Sequence, residues 1–225
     1  MIVAIDGTVA SGKSTAARSL AARLGYLYIN TGLMYRGVAA HARVHNIPTT
    51  DREQIAQCVK GLRIDLNNST DGQHVYVNGA DLTVEATAPD IGPDVSNVAD
   101  NDMVRETLVT EQRRLGREAG NAVLEGRDIG SVVFPDADIK FFFTAETRER
   151  ARRRLADDRK SNPDISLAEV EQLLIDRDRR DRDRPVGALK QMPEAIVIDT
   201  TGLSPEESLN RMTGYIETKI NSLKH

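Results

Sequence analysis

The chain of 225 residues has no tryptophan and one cysteine, Cys58, and only 4% of its residues are aromatic. A single cysteine excludes a disulfide framework and makes a reducing cytosol the simplest home. The want of aromatics excludes no function class by itself. No sign of charge dominates: the formal net charge is −4, which argues against a general nucleic-acid or anionic-membrane binder. Long apolar runs are also missing. The N-terminal one stops at Asp6, far short of a secretory core or a membrane span. A cytoplasmic monomer acting on small molecules, with no nucleic-acid or membrane partner, is therefore expected. The length suits one α/β domain with insertions and can bury a proper core.

What is present is concentrated in residues 2–15, IVAIDGTVASGKST. Four apolar or β-branched residues read as a buried strand. Gly7, Thr8, Val9, Ala10, Ser11, Gly12, Lys13 and Ser14 satisfy G-x-x-x-x-G-K-[ST], and a helix opens at Thr15. Strand, glycine loop and helix arrive in the order a phosphate cradle needs. The first-turn N–H groups lack intrahelical acceptors, and the helix dipole favours negative charge there. Lys13 adds a full charge for the β- and γ-phosphates, and the Ser14 hydroxyl can ligate Mg²⁺. A chance glycine-rich turn is the bland alternative; the full context of the motif argues against it. ATP or GTP with Mg²⁺ is the expectation.

Tyr26–Asn30 reads as a second strand, followed by Thr31-Gly-Leu-Met-Tyr35-Arg36. Arg36, just beyond a strand's C-terminal end, sits where open α/β sheets bind ligands; a plain surface arginine is the other reading. Residues 37–60 look helical with a break at Pro48. Residues 62–84 then alternate with period two around Asn67–Gly72 and Asn78-Gly79, a small antiparallel excursion of about three strands. Val95–Ala119 reads as one helix carrying Ser96 and Arg105. Ala122–Asp128 is an apolar strand ending in Glu125-Gly-Arg127-Asp128, a candidate for a metal-side carboxylate and a phosphate clamp; turn chemistry alone is the alternative. Ile139–Ala145 and Ala195–Asp199 complete five buried strands that alternate with helices, and Pro205–Leu223 is the last covering helix.

Residues 146–184 hold basic and acidic side chains in nearly equal number. On a helix Arg177, Asp181 and Arg184 share one face, as do Arg150 and Arg154 on the segment before Asn162-Pro-Asp164. A solvated, charge-alternating hairpin is one reading. A mobile arginine-bearing lid is the other, and phosphoryl transfer needs such an element to neutralise oxygens and exclude water.

Together these residues resemble the bacterial cytidylate kinases, nucleoside monophosphate kinases, nearly end to end. The resemblance rests on the P-loop, Asn30–Arg36, Val95–Ala99 with Val104-Arg105-Glu106, Leu124–Asp136 and Arg180–Arg184. It implies that Ser96, Arg105 and Asp128 read the cytosine edge, and that Arg36, Arg127 and Arg184 bind the CMP phosphate. It puts Asp181 and Arg177 at the ribose, Arg150 and Arg154 with the P-loop through Thr15 on the ATP side, and Thr31 and Tyr35 among the substrate contacts. Lys13, Arg127, Arg180 and Arg184 would neutralise the transferring group, with Ser14 and, through water, Glu125 holding Mg²⁺. The implied reaction is ATP-dependent phosphorylation of CMP and dCMP. Another acceptor (UMP/CMP, AMP, a small alcohol) or a P-loop GTPase switch are the alternatives; the switch wants N-K-x-D, which is missing.

The chain departs from the family pattern at Asn30 (usually an acid), Glu125 (often Asp), Ser131 (commonly Thr), Ala86-Thr87 (usually Ile-Arg) and Thr8-Val9-Ala10 (a Pro-Ser-Gly-like run). The expected fold is an α/β P-loop NTPase: a five-stranded parallel sheet with helices on both faces, a small antiparallel insertion and a helical lid. Its core would be residues 1–36, 88–147 and 186–225, with a monophosphate-binding segment at 37–87 and the lid at 148–185.

Overall fold

The computed structural model describes residues 1–222. The apolar N-terminal run forms β1 (Ile2–Gly7), buried from Val3 onward because both faces of a parallel sheet are covered. It leads through the glycine loop into α1 (Lys13–Leu24), whose stripe of Ala16, Ala17, Leu20 and Ala21 faces inward. Gly25, at φ 68°, ends that helix by returning its N–H to Ala21 and Ala22. Next come β2 (Leu27–Asn30), α2 (Thr31–Val44), α3 (Arg52–Cys58), β3 (Ile64–Ser69), β4 (Gly72–Val77), β5 (Ala80–Asp81), α4 (Thr83–Ala86), α5 (Gly92–Ala99) and α6 (Asp102–Ala119). The chain returns through β6 (Ala122–Gly126), β7 (Ile139–Thr144), α7 (Thr147–Ser161), α8 (Leu167–Asp183), β8 (Ile196–Asp199) and α9 (Pro205–Ser222). The expected last residue of that final helix, Leu223, lies outside the described residues.

The large sheet has the order β2-β6-β1-β7-β8, with β1 parallel to both β6 and β7 and β8 parallel to β7. The five strands and their parallel sense are those the sequence pattern predicts. Val3, Ile5, Val123, Phe141, Phe143 and Ile198 of the sheet pack with Leu20 of α1 and Met212 and Ile216 of α9 in one core.

The chain divides into two compact units, residues 1–28 with 121 onward, and residues 29–120. The second unit contains α2 to α6 and the three-stranded antiparallel sheet β3-β4-β5. Asn78 and Gly79 both take positive φ (51° and 82°), the turn that their dipeptide predicts for β4 into β5. The turn before it is tighter than the polar run suggests: Asn67–Ser69 stay in β3, and only Thr70 and Asp71 lie outside the ladder. The single helix expected over 95–119 is two. Asn101 accepts from the N–H groups of Met103 and Val104 and starts α6 afresh, because a short polar side chain satisfies a helix start better than it continues a helix.

Within the first unit, α7 and α8 form the helical hairpin expected around Asn162–Asp164. A capping box of Ser166 and Glu169 opens α8. Ala151, Ile165, Val170 and Leu174 make a small core of their own, against which Val9 of the glycine loop packs. Between β6 and β7 lies a turn that periodicity does not foretell. The N–H groups of Val133 and Phe134 reach back five residues to the carbonyls of Asp128 (3.1 Å) and Ile129 (2.7 Å), a single π-helical turn over Ile129–Val133.

Candidate active site

The glycine loop leaves the C-terminal end of the sheet's central strand. Gly7 is dictated by crowding: a Cβ there would lie 2.3 Å from the carbonyl oxygen of Phe143 on β7. Gly12 is dictated by conformation, since it caps α1 at φ 83°. Ala10 takes φ 58° without that freedom. The loop's carbonyls are engaged by side chains. Ser11 Oγ donates to Thr8 O (2.9 Å), Lys13 Nζ to the same oxygen (3.3 Å), Arg150 to Val9 O (3.1 Å) and Thr200 Oγ1 to Ser11 O (2.9 Å). No side chain caps the start of α1, so its first N–H groups keep their capacity for an anion. Thr8 Oγ1 is buried without a hydrogen-bond partner among the described residues. A phosphate oxygen would satisfy the free N–H groups of the helix start.

Lys13 is buried, and its ammonium lies 3.8 Å from Glu125 Oε2. Burial, then the nearby Arg127 charge, pull its pKa down to about 8 against the opposing pull of Glu125. Glu125 is itself buried at the end of β6, where its Oε1 accepts from Ser14 Oγ (2.7 Å) and Tyr28 Oη (3.4 Å). Burial and that carboxylate hold the Tyr28 phenol far above its ordinary range. A hydroxyl and a carboxylate side by side form a hard-oxygen pair that suits Mg²⁺. No cluster of three or more His, Cys, Asp or Glu is placed to cage a metal among the described residues. Such a donor set fits an ion that brings phosphate oxygens with it.

A second charged centre in the same unit is built on Asp181, 1% exposed on α8. Arg127 Nε donates to its Oδ2 (2.8 Å), while Arg184 and Arg177 approach Oδ1 at 3.3 and 3.4 Å. Burial alone would push this carboxyl up, but Arg127, Arg177 and Arg184 outweigh it and hold it below the usual carboxylate range. Burial lowers Arg177, with Arg127, Arg184 and Arg180 adding to the fall and Asp181 resisting. Three guanidinium groups around one carboxylate leave a local surplus of positive charge, and that surplus suits a phosphate.

The remaining expected residues fall in four groups. Arg150 is buried, and its guanidinium is engaged by Ala145 O, Val9 O, Thr147 Oγ1 and, at 2.7 Å, Asp178, so it pins the glycine loop to the helical hairpin. Arg154 and Arg180 are exposed, the first paired with Asp158 and the second turned to the backbone of Asp176. Asp128 is buried at the start of the π turn. In the second unit Thr31 is buried at the start of α2, Arg36 donates to Ala86 O (3.3 Å), and Ser96 Oγ bonds Gly92 O within α5. Arg105, buried on α6, lies 5.5 Å over the Tyr35 ring and donates to Ala99 O at the end of α5.

Sequence reasoning missed four residues. Arg153 bonds Thr200 through both terminal nitrogens (3.0 and 2.7 Å) and stands over Gly12, 3.9 Å from where a Cβ would be. Thr200 in turn buttresses Ser11. Asp6 and Lys140 flank the π turn. Arg153 was detectable in principle, since it sits one helical turn from Arg150; for the other three no local signal exists.

Residues 3–218 match the family model described as Cytidylate kinase. The chain belongs to the cytidylate kinase family. A cytidylate kinase of Symbiobacterium thermophilum is 44% identical over 208 residues, 92% of each chain. One of Bacillus subtilis is 39% identical over 217 residues, 96% of each. A solved structure of an uncharacterized protein from Eubacterium ventriosum covers 96% of this chain and 98% of its own, at 11% identity and a TM-score of 0.55. At that identity it speaks for the fold alone. Cytidylate kinases are phosphotransferases on small molecules, and no helix among the described residues is long and apolar enough to cross a membrane.

Proposed function

We propose that the chain transfers the terminal phosphoryl group of ATP to CMP or dCMP, giving ADP and CDP or dCDP, by direct in-line displacement. The observation that carries this reading is the presence, within one unit, of a buried P-loop lysine 3.8 Å from Glu125 and of three arginines, Arg127, Arg177 and Arg184, gathered on Asp181. An acceptor-phosphate oxygen bonds to the γ-phosphorus as the bond to the β-phosphate oxygen breaks, and the electron pair leaves with ADP. The acceptor is already an anion, so no general base and no covalent enzyme intermediate are needed. Catalysis is positioning plus charge neutralisation.

The residues divide accordingly. Gly7 to Thr15 cradle the ATP phosphates, and Lys13 neutralises them. Arg127 and Arg184 take the acceptor phosphate, while Asp181 and Arg177 organise them near the ribose; the resemblance to the family makes Arg36 of the second unit a phosphate contact as well. Arg180 and Arg154, exposed in this structure, join only when the hairpin over residues 148–185 closes as a lid. The Mg²⁺ that accompanies ATP would screen its β- and γ-oxygens, held by Ser14 and through water by Glu125. Ser96, Arg105 and Asp128 read the base: arginine donates to O2 or N3, and a carboxylate accepts from the N4 amine, a donor that uracil lacks. A base without that amine leaves a buried acceptor unpaired, so discrimination can be large.

An ADP-release assay with CMP, dCMP, UMP and AMP in turn tests this. Turnover should be fastest with the two cytidine nucleotides and at least about 100-fold slower with AMP. ADP release without any acceptor, or equal rates with AMP, overturns the reading.

A further inference from the structure

Arg127 and Asp128 are delivered by the segment between β6 and β7, and that segment rests on two buried ionisable side chains. Residues two apart on a strand share a face. Asp6 lies opposite Phe142 and Ala4 opposite Lys140, so Asp6 and Lys140 emerge on the same side of the sheet. Both are buried, at 4% and 7% exposure. Asp6 accepts from two successive backbone N–H groups at the start of the π turn, Oδ1 from Ile129 (2.8 Å) and Oδ2 from Gly130 (2.7 Å). Lys140 Nζ donates to Pro135 O (2.7 Å) just beyond the turn's other end and pairs with Glu194. Gly130 is seated between them: a Cβ there would lie 3.1 Å from Lys140 Cδ and 3.3 Å from Asp6 Oδ2.

We propose that Asp6 is a positioning residue for the acceptor nucleotide: its carboxylate, with Lys140 at the far end, fixes the π turn and thereby the directions of Arg127 and Asp128. The inference rests on the reading of those two residues as acceptor contacts. A carboxylate matched to two adjacent N–H groups sets the turn's distance and tilt together, whereas an apolar residue would leave both donors buried and unpaired. The arrangement runs against the ordinary preference of a carboxylate for water. Burial pushes the Asp6 carboxyl up to about 7, with Asp128 raising it further and the two N–H groups and Arg127 opposing. Lys140 faces the same turn from β7, and Lys13 on α1 is close enough to be influenced by its charge.

The test is steady-state kinetics of wild type, Asp6→Asn and Gly130→Ala between about pH 6 and 8.5, with thermal melts alongside. Asn keeps one acceptor oxygen and turns an amide donor toward the other N–H. At pH 8 its KM for CMP should rise about tenfold or more, with the KM for ATP within about threefold. Below pH 7 the wild-type carboxyl takes a proton and gives up part of the same interaction. The ratio of the two CMP constants should therefore shrink toward one in acid, and titration of the nucleotide's own phosphate cancels in that ratio. Gly130→Ala displaces the turn without altering the carboxylate and should raise the CMP KM selectively, which supports the inference even where Asp6→Asn does not fold. A lowered melting temperature with both KM values unchanged, or both KM values rising together, overturns it. Absence of CMP turnover by the wild-type chain would instead overturn the functional reading on which it stands.

Discussion

The first unit holds two charged centres of opposite construction. The glycine loop works through its backbone: eight consecutive residues, a helix start without a cap, and carbonyls tied back by Ser11, Lys13, Arg150 and Thr200. The Asp181 cluster works through side chains brought together across the sequence, Arg127 just past β6, Arg177 and Asp181 on α8, and Arg184 at the extended residue that ends α8. The difference has a consequence. A backbone-made site tolerates varied side chains such as those of Thr8-Val9-Ala10, because the N–H groups do not depend on them. A site made of buried charges tolerates little, since removing one member leaves the others uncompensated.

The sharpest way to break the contrast is to remove the one side-chain charge on which the loop depends. Lys13→Ala should lower turnover by about 1,000-fold or more, the order seen when a preorganised charge facing a transition state is lost. The fold should survive, because Glu125 keeps its hydrogen bonds from Ser14 and Tyr28 and the loop keeps those from Ser11, Arg150 and Thr200. Coupled ADP-release kinetics with a circular-dichroism melt reads both, and turnover within tenfold of wild type would remove Lys13 from the centre of the mechanism.

Asp181→Asn attacks the other centre and should do the reverse. Three guanidinium groups lose their counter-charge at a buried point, so stability should fall by about 2–4 kcal/mol. The KM for CMP should rise about 10- to 100-fold, matching roughly 1.5–3 kcal/mol for hydrogen bonds to a charged group. Binding of ATP should change by less than about threefold. Urea unfolding and separate nucleotide titrations measure these. A loss confined to ATP binding would mean that the cluster serves the donor.

What was legible in the sequence follows the same divide. β1, the glycine loop and α1 are one contiguous stretch with a strong local pattern, and β6, β7 and β8 show as apolar runs. Asn78-Gly79 announced its turn because few other dipeptides accept two positive φ angles. Helical spacing grouped Arg177 with Asp181; Arg184, expected on the same helix face, reaches Asp181 from the extended residue after the helix, and spacing could not say that Arg127 would complete the group from 54 residues away. Nor does spacing reveal which way a guanidinium turns: Arg150 is turned to the back of the loop and Arg153 to Thr200 and the face over Gly12. The π turn is five residues long and carries no period, and Asp6 reads as one acid at a strand end until its two backbone partners are seen.

The mildest change refines the claim that the loop is a backbone device. Ala10 holds φ 58°, a left-handed conformation that costs a residue with a Cβ roughly 1–2 kcal/mol. Glycine adopts it freely but gives up about 0.5–1 kcal/mol of unfolded-chain entropy, so the two terms nearly cancel. Ala10→Gly should therefore gain about 0.5 kcal/mol, a rise of roughly 1–2 °C in melting temperature for a chain of this size. Scanning calorimetry of the nucleotide-free protein resolves that shift. A fall in melting temperature would mean that the Ala10 methyl makes packing contacts worth more than the strain, and the loop would then owe part of its shape to a side chain after all.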